Sequence, residues 1–238
     1  MNVGGISKKN DQMATIKVSA FPWVPPFAQG LVRDIRVRWA LEEAGLAYEE
    51  RLLGPDYKTS KDYRALQPFG QVPSYEEGGL VLFESGAIVL HIAECSDVLM
   101  PPDPAGRARV TAWMFSALNT IEPPVMALAL VDHFHAGEEW TRLRRPGTIE
   151  AIQSRLTDLA ACLDGRDYLE GRFSAADLLM TTVLRALRET DLVAQIPALE
   201  NYRLRCEARP AFQKALADQM AVFARHAPPE AADFAKGQ

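Results

Sequence analysis

The sequence predicts an α/β unit of alternating strands and helices joined to an all-α bundle, and three observations carry that division. Short β-prone runs alternate with helix-period stretches only as far as Asp97. A proline-rich linker, Pro101-Pro102-Asp103-Pro104, follows. Beyond it nearly everything from Ala105 to about His226 has helical spacing, with no period-two alternation to suggest a strand.

Element by element, residues 1–13 are polar and read as a disordered extension. Ile16 to Phe21 is a short apolar run and the first predicted strand. Pro22, Pro25 and Pro26 then fix φ and remove donors, so the segment around Trp23 and Phe27 cannot be regular structure. From Leu31 the spacing turns helical: Leu31, Ile35, Trp39 and Ala40 share a face, Arg33, Arg36 and Arg38 lie on others, and Gly45 is placed to cap the end. Tyr48 to Leu53 is the second strand, and Ser60 to Leu66 a short helix that stops before Pro68. Val72 to Tyr75 and Leu80 to Phe83, separated by Glu-Glu-Gly-Gly, predict an antiparallel hairpin. A helix from Ser85, its expected cap, to about Cys95 completes the order β-α-β-α-β-β-α. In the second half, breaks at Pro123-Pro124, Gly137, Pro146-Gly147, Gly165, Gly171, Pro197 and Pro210 predict about five helices.

Composition narrows the function. The 238 residues are 48% apolar and 24% charged, with a net charge of −5, the profile of a soluble globular chain. Phosphate binding needs clustered Lys and Arg, and no basic run is present, so no nucleic acid is expected as a partner. No stretch approaches the roughly 18–20 uninterrupted apolar residues that cross a bilayer. The first dozen residues lack a signal core, so no membrane is expected and the cytoplasm is the expected location. Cys95, Cys162 and Cys206 are scattered, which argues against a disulfide framework and structural zinc. His133 and His135 lie on different faces of a helical stretch, and no metal is expected. Cys95 is expected to pack in its helix as a small hydrophobe.

Two constellations carry chemistry. The first is Gln71-Val72-Pro73 followed by Phe83-Glu84-Ser85-Gly86-Ala87-Ile88. A proline opening a strand removes a ladder donor, and with a cis bond the preceding backbone turns outward to pair with an extended peptide-like ligand. Ser85 at a helix N-terminus offers a hydroxyl, free N–H groups and the positive dipole end to a carboxylate. Glu84 beside it can hold an ammonium, so the pair suits a free α-amino acid end. The second is Ser174-Ala175-Ala176-Asp177 before the apolar run Leu178 to Val183, a capping-box variant whose role is folding and stability.

The helix string from Arg36-Val37-Arg38 to Glu42-Glu43-Ala44-Gly45, then Pro68-Phe69-Gly70-Gln71-Val72-Pro73, Glu84-Ser85-Gly86-Ala87-Ile88 and the all-helical half, resembles the soluble glutathione transferase family over about residues 14–225. The resemblance implies a thioredoxin-like glutathione-binding domain at 14–97, a linker at 98–104, an all-helical domain at 105–226 and a tail at 227–238. It implies a cis Val72–Pro73 bond, and glutathione, as co-substrate, held by the backbone of Val72 beside Pro73 and by Glu84 and Ser85. Gln71 stands where the family places a polar or basic residue near the glycyl carboxylate. Ser174 and Asp177 are similar to the family's capping motif, and a homodimer is implied.

The chain departs from the family at the thiol. A Tyr, Ser or Cys normally stands between the first strand and first helix, whereas here no Ser, Thr, Tyr or Cys lies between Phe21 and Arg38. The missing cysteine argues against reductase chemistry through a mixed disulfide. Thiol activation is left to backbone N–H groups near Gln29 and Gly30, the indole of Trp23, or the guanidinium of Arg33. In the family the loop and the first helix after the linker form the electrophile pocket, which implies Phe27, Trp113, Phe115, Asn119 and Thr120 here. The expected activity is transfer of the glutathione thiolate to a small apolar electrophile, or a related addition or peroxide reduction. A binding protein without turnover is the alternative. A glutathione-dependent isomerase is a third, because Arg36-Val37-Arg38 is similar to a zeta-like branch whose Ser pair this loop lacks.

Overall fold

The computed structural model describes residues 15–231, so the extension expected at 1–13 and residues 232–238 of the tail lie outside the described residues. Strands β1 (Ile16–Ala20), β2 (Tyr48–Leu52), β3 (Ser74–Glu77) and β4 (Leu80–Phe83) alternate with helices α1 (Asp34–Ala44), α2 (Lys61–Leu66) and α3 (Ser85–Glu94) in the expected order. The sheet runs β2-β1-β3-β4, with β1 and β2 parallel, Ile16 opposite Tyr48, and the other pairs antiparallel. A parallel pair needs a crossover, and α1 supplies it. Gly78 and Gly79 turn the β3–β4 hairpin with φ of +53° and +91°, the all-positive two-residue turn that matches strand twist. This is a thioredoxin-like unit, and an all-helical part follows it.

Among the described residues that part is built from five long helices: α4 (Pro104–Phe134), α5 (Glu139–Leu163), α6 (Ala175–Arg185), α7 (Pro197–Glu207) and α8 (Pro210–Arg225). Pro197 and Pro210 open their helices, where the missing N–H costs nothing. Two expected breaks do not occur. At Pro123-Pro124 the chain widens into a π-helical segment, Ala117–Ile121, which absorbs the proline rings without ending α4. Pro146 lies inside α5, where burial of Thr148, Ile152, Leu156, Leu159 and Leu163 outweighs a penalty of about 3 kcal/mol. Helix α4 is a candidate to cross a membrane by length and composition alone, although Arg107, Arg109, Glu122 and Asp132 interrupt its apolar residues. In the fold, one of its faces, Val110, Met114, Ala117, Ile121, Val125 and Leu128, is buried against the rest of the protein.

Helix α1 joins the two parts, packing on α3 within its own unit and on α6 and α8 across the boundary. It begins at Asp34 rather than Leu31, because Gly30 sits at φ +74° and the residues after it form turns. Trp39 is fully buried, its ring 5.7 Å from Phe173 and 4.7 Å from Phe212. One continuous apolar core therefore spans both halves. Arg36 and Arg38 are buried as well, not on free faces. Arg38 donates to Asp34 Oδ2 at 2.7 Å and Glu50 Oε1 at 2.6 Å, which offsets the loss of hydration. Cys95 corrects another expectation: it follows α3 and is exposed, as is Cys162, whereas Cys206 is buried.

Candidate functional site

A cavity of about 460 Å³ lies between the start of α3, the entry to β3, and α4. Gln71, Val72, Pro73, Glu84 and Ser85 all line it. A second cavity of about 390 Å³ sits beneath the β1–α1 loop, walled by Phe21, Phe27, Tyr57 and Phe134 with Leu31, Val125 and Met126. Arg33, Arg36, Gln71, Val72 and Glu122 line both, so the two cavities share a wall and form one site.

Local structure sets the first cavity. The Val72–Pro73 bond is cis. Behind it the Tyr63 hydroxyl donates to the Gln71 carbonyl at 2.5 Å and bonds Ser19 Oγ at 2.9 Å, and Ser74 N donates to Ser19 Oγ at 2.6 Å. That chain of bonds fixes the loop carrying Val72. Glu84, exposed on the rim, holds φ at +68°, a conformation costing a non-glycine residue on the order of 1–3 kcal/mol. It, not Ser85, occupies the cap position of α3 and makes no side-chain cap bond, so the first-turn N–H groups are free to meet a carboxylate. Ser85 is instead the first helical residue, buried, its hydroxyl accepting from Arg36 Nη1 at 3.2 Å. Leu118 of α4 lies so close over Gly86 that a Cβ there would collide with it, which seats α3 against α4.

The electrostatic centre is Glu122. Arg33 Nε and Nη2 donate to its Oε1 at 3.0 and 2.8 Å, and Arg36 Nη2 does so at 3.0 Å. Burial works to raise the Glu122 pKa, but Arg36 and Arg33 outweigh it and hold the carboxyl below its ordinary value. Burial lowers the Arg36 pKa against the opposing pull of Glu122.

Of the thiol-activation candidates, only Arg33 lies on the cavity walls, and its side chain is 41% exposed. Gln29 spends its backbone N–H on the Pro26 carbonyl at 3.2 Å and its Nε2 on the Val24 carbonyl at 3.0 Å, both within the loop, while Trp23 lies outside both walls. Arg188, in the turn after α6, pins the loop further by donating to the carbonyls of Gln29 at 2.9 Å and Phe27 at 3.1 Å.

The expected electrophile set divides. Phe27 lines the second cavity, stacked on His133 at 5.0 Å and edge-on to Phe134 at 5.6 Å. Asn119 and Phe115 line the first cavity instead. Trp113 and Thr120 face neither: Thr120 is exposed, and Trp113 Nε1 donates to Glu170 Oε1 at 3.2 Å. Helical rotation explains it, since Thr111, Met114, Phe115, Leu118, Asn119 and Glu122 share the inner face while positions 113 and 120 turn away.

Sequence reasoning missed Glu122, Tyr57 and Lys58. Glu122 was hidden because the following prolines suggested a break, and the loop holding Tyr57 and Lys58 has no periodic signal. Ser174 and Asp177 lie apart from both cavities, with Ser174 N donating to Asp177 Oδ2 at 2.9 Å.

Residues 29–94 match the family model for the glutathione S-transferase N-terminal domain. Glutathione S-transferase 4 of Zea mays is 32% identical over 220 residues, covering 85% of this chain and 93% of that protein. The disulfide-bond oxidoreductase YfcG of Escherichia coli is 31% identical over 193 residues, 74% of this chain and 86% of its own. A glutathione transferase from Pseudomonas putida, solved with glutathione disulfide bound, superposes with a TM-score of 0.73 at 28% identity, covering 85% of this chain and 91% of that one. The fold, the residues gathered at the start of α3 and a likeness running through both halves agree: the chain belongs to the glutathione S-transferase family.

Proposed function

We propose that the protein binds glutathione across the two cavities and transfers its thiolate to a small apolar electrophile. The observation that carries this reading is the shared wall: the residues suited to the tripeptide and the aromatic chamber meet at Arg33, Arg36 and Glu122. The γ-glutamyl end would lie at Glu84 and Ser85, the cysteinyl backbone at Val72, and the glycyl carboxylate toward Gln71 and Lys58. The sulfur then falls at the junction beside Arg33. A guanidinium there favours thiolate over thiol and lowers a pKa that is ordinarily about 8.5. The thiolate attacks an electrophilic carbon held among Phe27, Tyr57 and Phe134, a C–S bond forms, and the leaving group departs with its electron pair. Residues 14–97 would supply most of the glutathione half of the site and, through Phe27 and Tyr57, share the electrophile half with residues 105–226, in a homodimer that sedimentation can check.

The maize and Pseudomonas putida relatives, one named a glutathione S-transferase and the other solved with glutathione disulfide, support this reading. Calorimetric titration of glutathione tests it. Wild type binds, and Ser85→Ala binds about tenfold more weakly, the weight of one charge-assisted hydrogen bond. Equal affinities, or no binding by wild type at millimolar ligand, overturn it.

A second reading, a glutathione-binding protein without turnover, is favoured by one observation: no hydroxyl or thiol side chain occurs between Phe21 and Arg38. Binding with no product from a panel of electrophiles and hydroperoxides selects that reading.

A further inference from the structure

We propose that Glu122 is a positioning residue for glutathione, one carboxylate that orients the Ser85 hydroxyl through Arg36 and the junction guanidinium of Arg33 directly. The inference rests on the glutathione reading above and deepens it.

The geometry is a branched relay. Arg33 and Arg36 stand three residues apart across the start of α1, so their side chains reach the same side, and Glu122 of α4 accepts from both. Its Oε1 takes three guanidinium N–H groups, and Oε2 takes Arg36 Nη1 at 3.3 Å. That same Arg36 Nη1 reaches Ser85 Oγ at 3.2 Å, while Arg36 Nε reaches Thr182 Oγ1 of α6 at 3.0 Å. One carboxylate from α4 thereby fixes groups on α1, α3 and α6.

Charge explains why the arrangement depends on Glu122. Two guanidinium groups held side by side repel, and Arg36 is only 4% exposed, so its charge has little water to fall back on. Glu122 is the carboxylate that both of them meet. Without it Arg36 must seek another partner and release Ser85, and half-exposed Arg33 swings toward solvent. Both ends of the reacting half of the tripeptide would then lose their alignment together.

A double-mutant cycle on the full-length protein tests this, reading glutathione affinity by calorimetry for wild type, Ser85→Ala, Glu122→Gln and the double variant. Each single change weakens binding about tenfold, and the double variant falls well short of the roughly hundredfold product, because the hydroxyl that Glu122 orients is already gone. If Glu122→Gln does not fold, Glu122→Asp takes its place. That variant keeps the charge and withdraws the carboxylate by one methylene, and the same non-additivity is expected. Wild-type affinity in the Glu122 variants, or effects that simply multiply, overturn the role of Glu122 alone. Absence of glutathione binding by wild type overturns the glutathione reading itself, and the inference with it.

Discussion

The Tyr202 hydroxyl donates to Asp177 Oδ1 at 3.0 Å deep in the helical half, and the same carboxylate gathers three more donors. Leu169 N reaches Oδ1 at 2.9 Å, and the N–H and hydroxyl of Ser174 reach Oδ2 at 2.9 and 3.0 Å. One side chain thus ties the start of α6 to α7 and to the loop before it. Removing the acceptor leaves buried donors unpaired, so Asp177→Ala is expected to cost about 3 kcal/mol or more in urea unfolding. Ser174→Ala, which removes one hydroxyl, costs about 0.5–2 kcal/mol. A loss under 1 kcal/mol for Asp177→Ala, roughly one net hydrogen bond, would contradict the network.

Arg33 and Gln29 separate by the pH dependence of turnover. Arg33 faces the junction of the cavities, whereas the Gln29 amide is spent on the Val24 carbonyl. Taking a positive charge from beside a thiolate raises the thiol pKa. Arg33→Gln therefore moves the midpoint of kcat/KM for the electrophile, measured at saturating glutathione, up by about one pH unit, and Gln29→Ala leaves it in place. An unmoved midpoint in Arg33→Gln excludes the guanidinium as activator.

Phe27 reports on the second cavity. Its ring contacts with His133 and Phe134 form part of the aromatic wall, and each such pair contributes about 0.5–1.5 kcal/mol. Phe27→Ala should raise KM for an aromatic electrophile roughly threefold to tenfold while glutathione affinity stays at the wild-type value. A change in glutathione affinity with an unchanged electrophile KM would place the electrophile elsewhere.

Thiol labelling reads burial directly. Cys95 and Cys162 are exposed, whereas burial pushes the Cys206 thiol up to about 12, so it carries almost no thiolate at neutral pH. Labelling of the native protein near neutral pH is expected to modify Cys95 and Cys162 and to reach Cys206 only after denaturant is added. Fast native labelling of Cys206, mapped by mass spectrometry, would show that α7 does not keep its Cys206 face packed inward.

Acid separates Glu122 from an uncharged stand-in. Because Arg36 and Arg33 hold its folded pKa below the unfolded value, its contribution to stability is fully present above the ordinary carboxylate range. It is lost as pH falls through the folded value. Urea unfolding of wild type should therefore weaken more steeply than that of Glu122→Gln as pH drops below about 4.3. Parallel acid limbs would mean that the carboxylate gains nothing from the arginines.

Much of the fold is legible in the residues because it depends on local chemistry. Gly78 and Gly79 permit the one turn that joins β3 to β4, Gly45 closes α1 in the left-handed region, and Pro197 and Pro210 are the first residues of the helices they open. The same local rules fail at Pro123-Pro124 and Pro146, where packing along α4 and α5 outweighs the propensity of single residues.

The site divides along the same line. One part of the first cavity's wall was legible in the residues, because Gln71-Val72-Pro73 and Glu84-Ser85 each belong to one short turn whose geometry is set nearby. What stands at the junction came from long-range packing. Arg33 and Glu122 are 89 positions apart in the chain and meet only because α4 passes the N-terminal end of α1. It also turned Trp113 and Thr120 away from both chambers and spent Gln29 on its own loop. A side chain's chemistry is written in the sequence, while its partner and direction follow from the packing of distant helices.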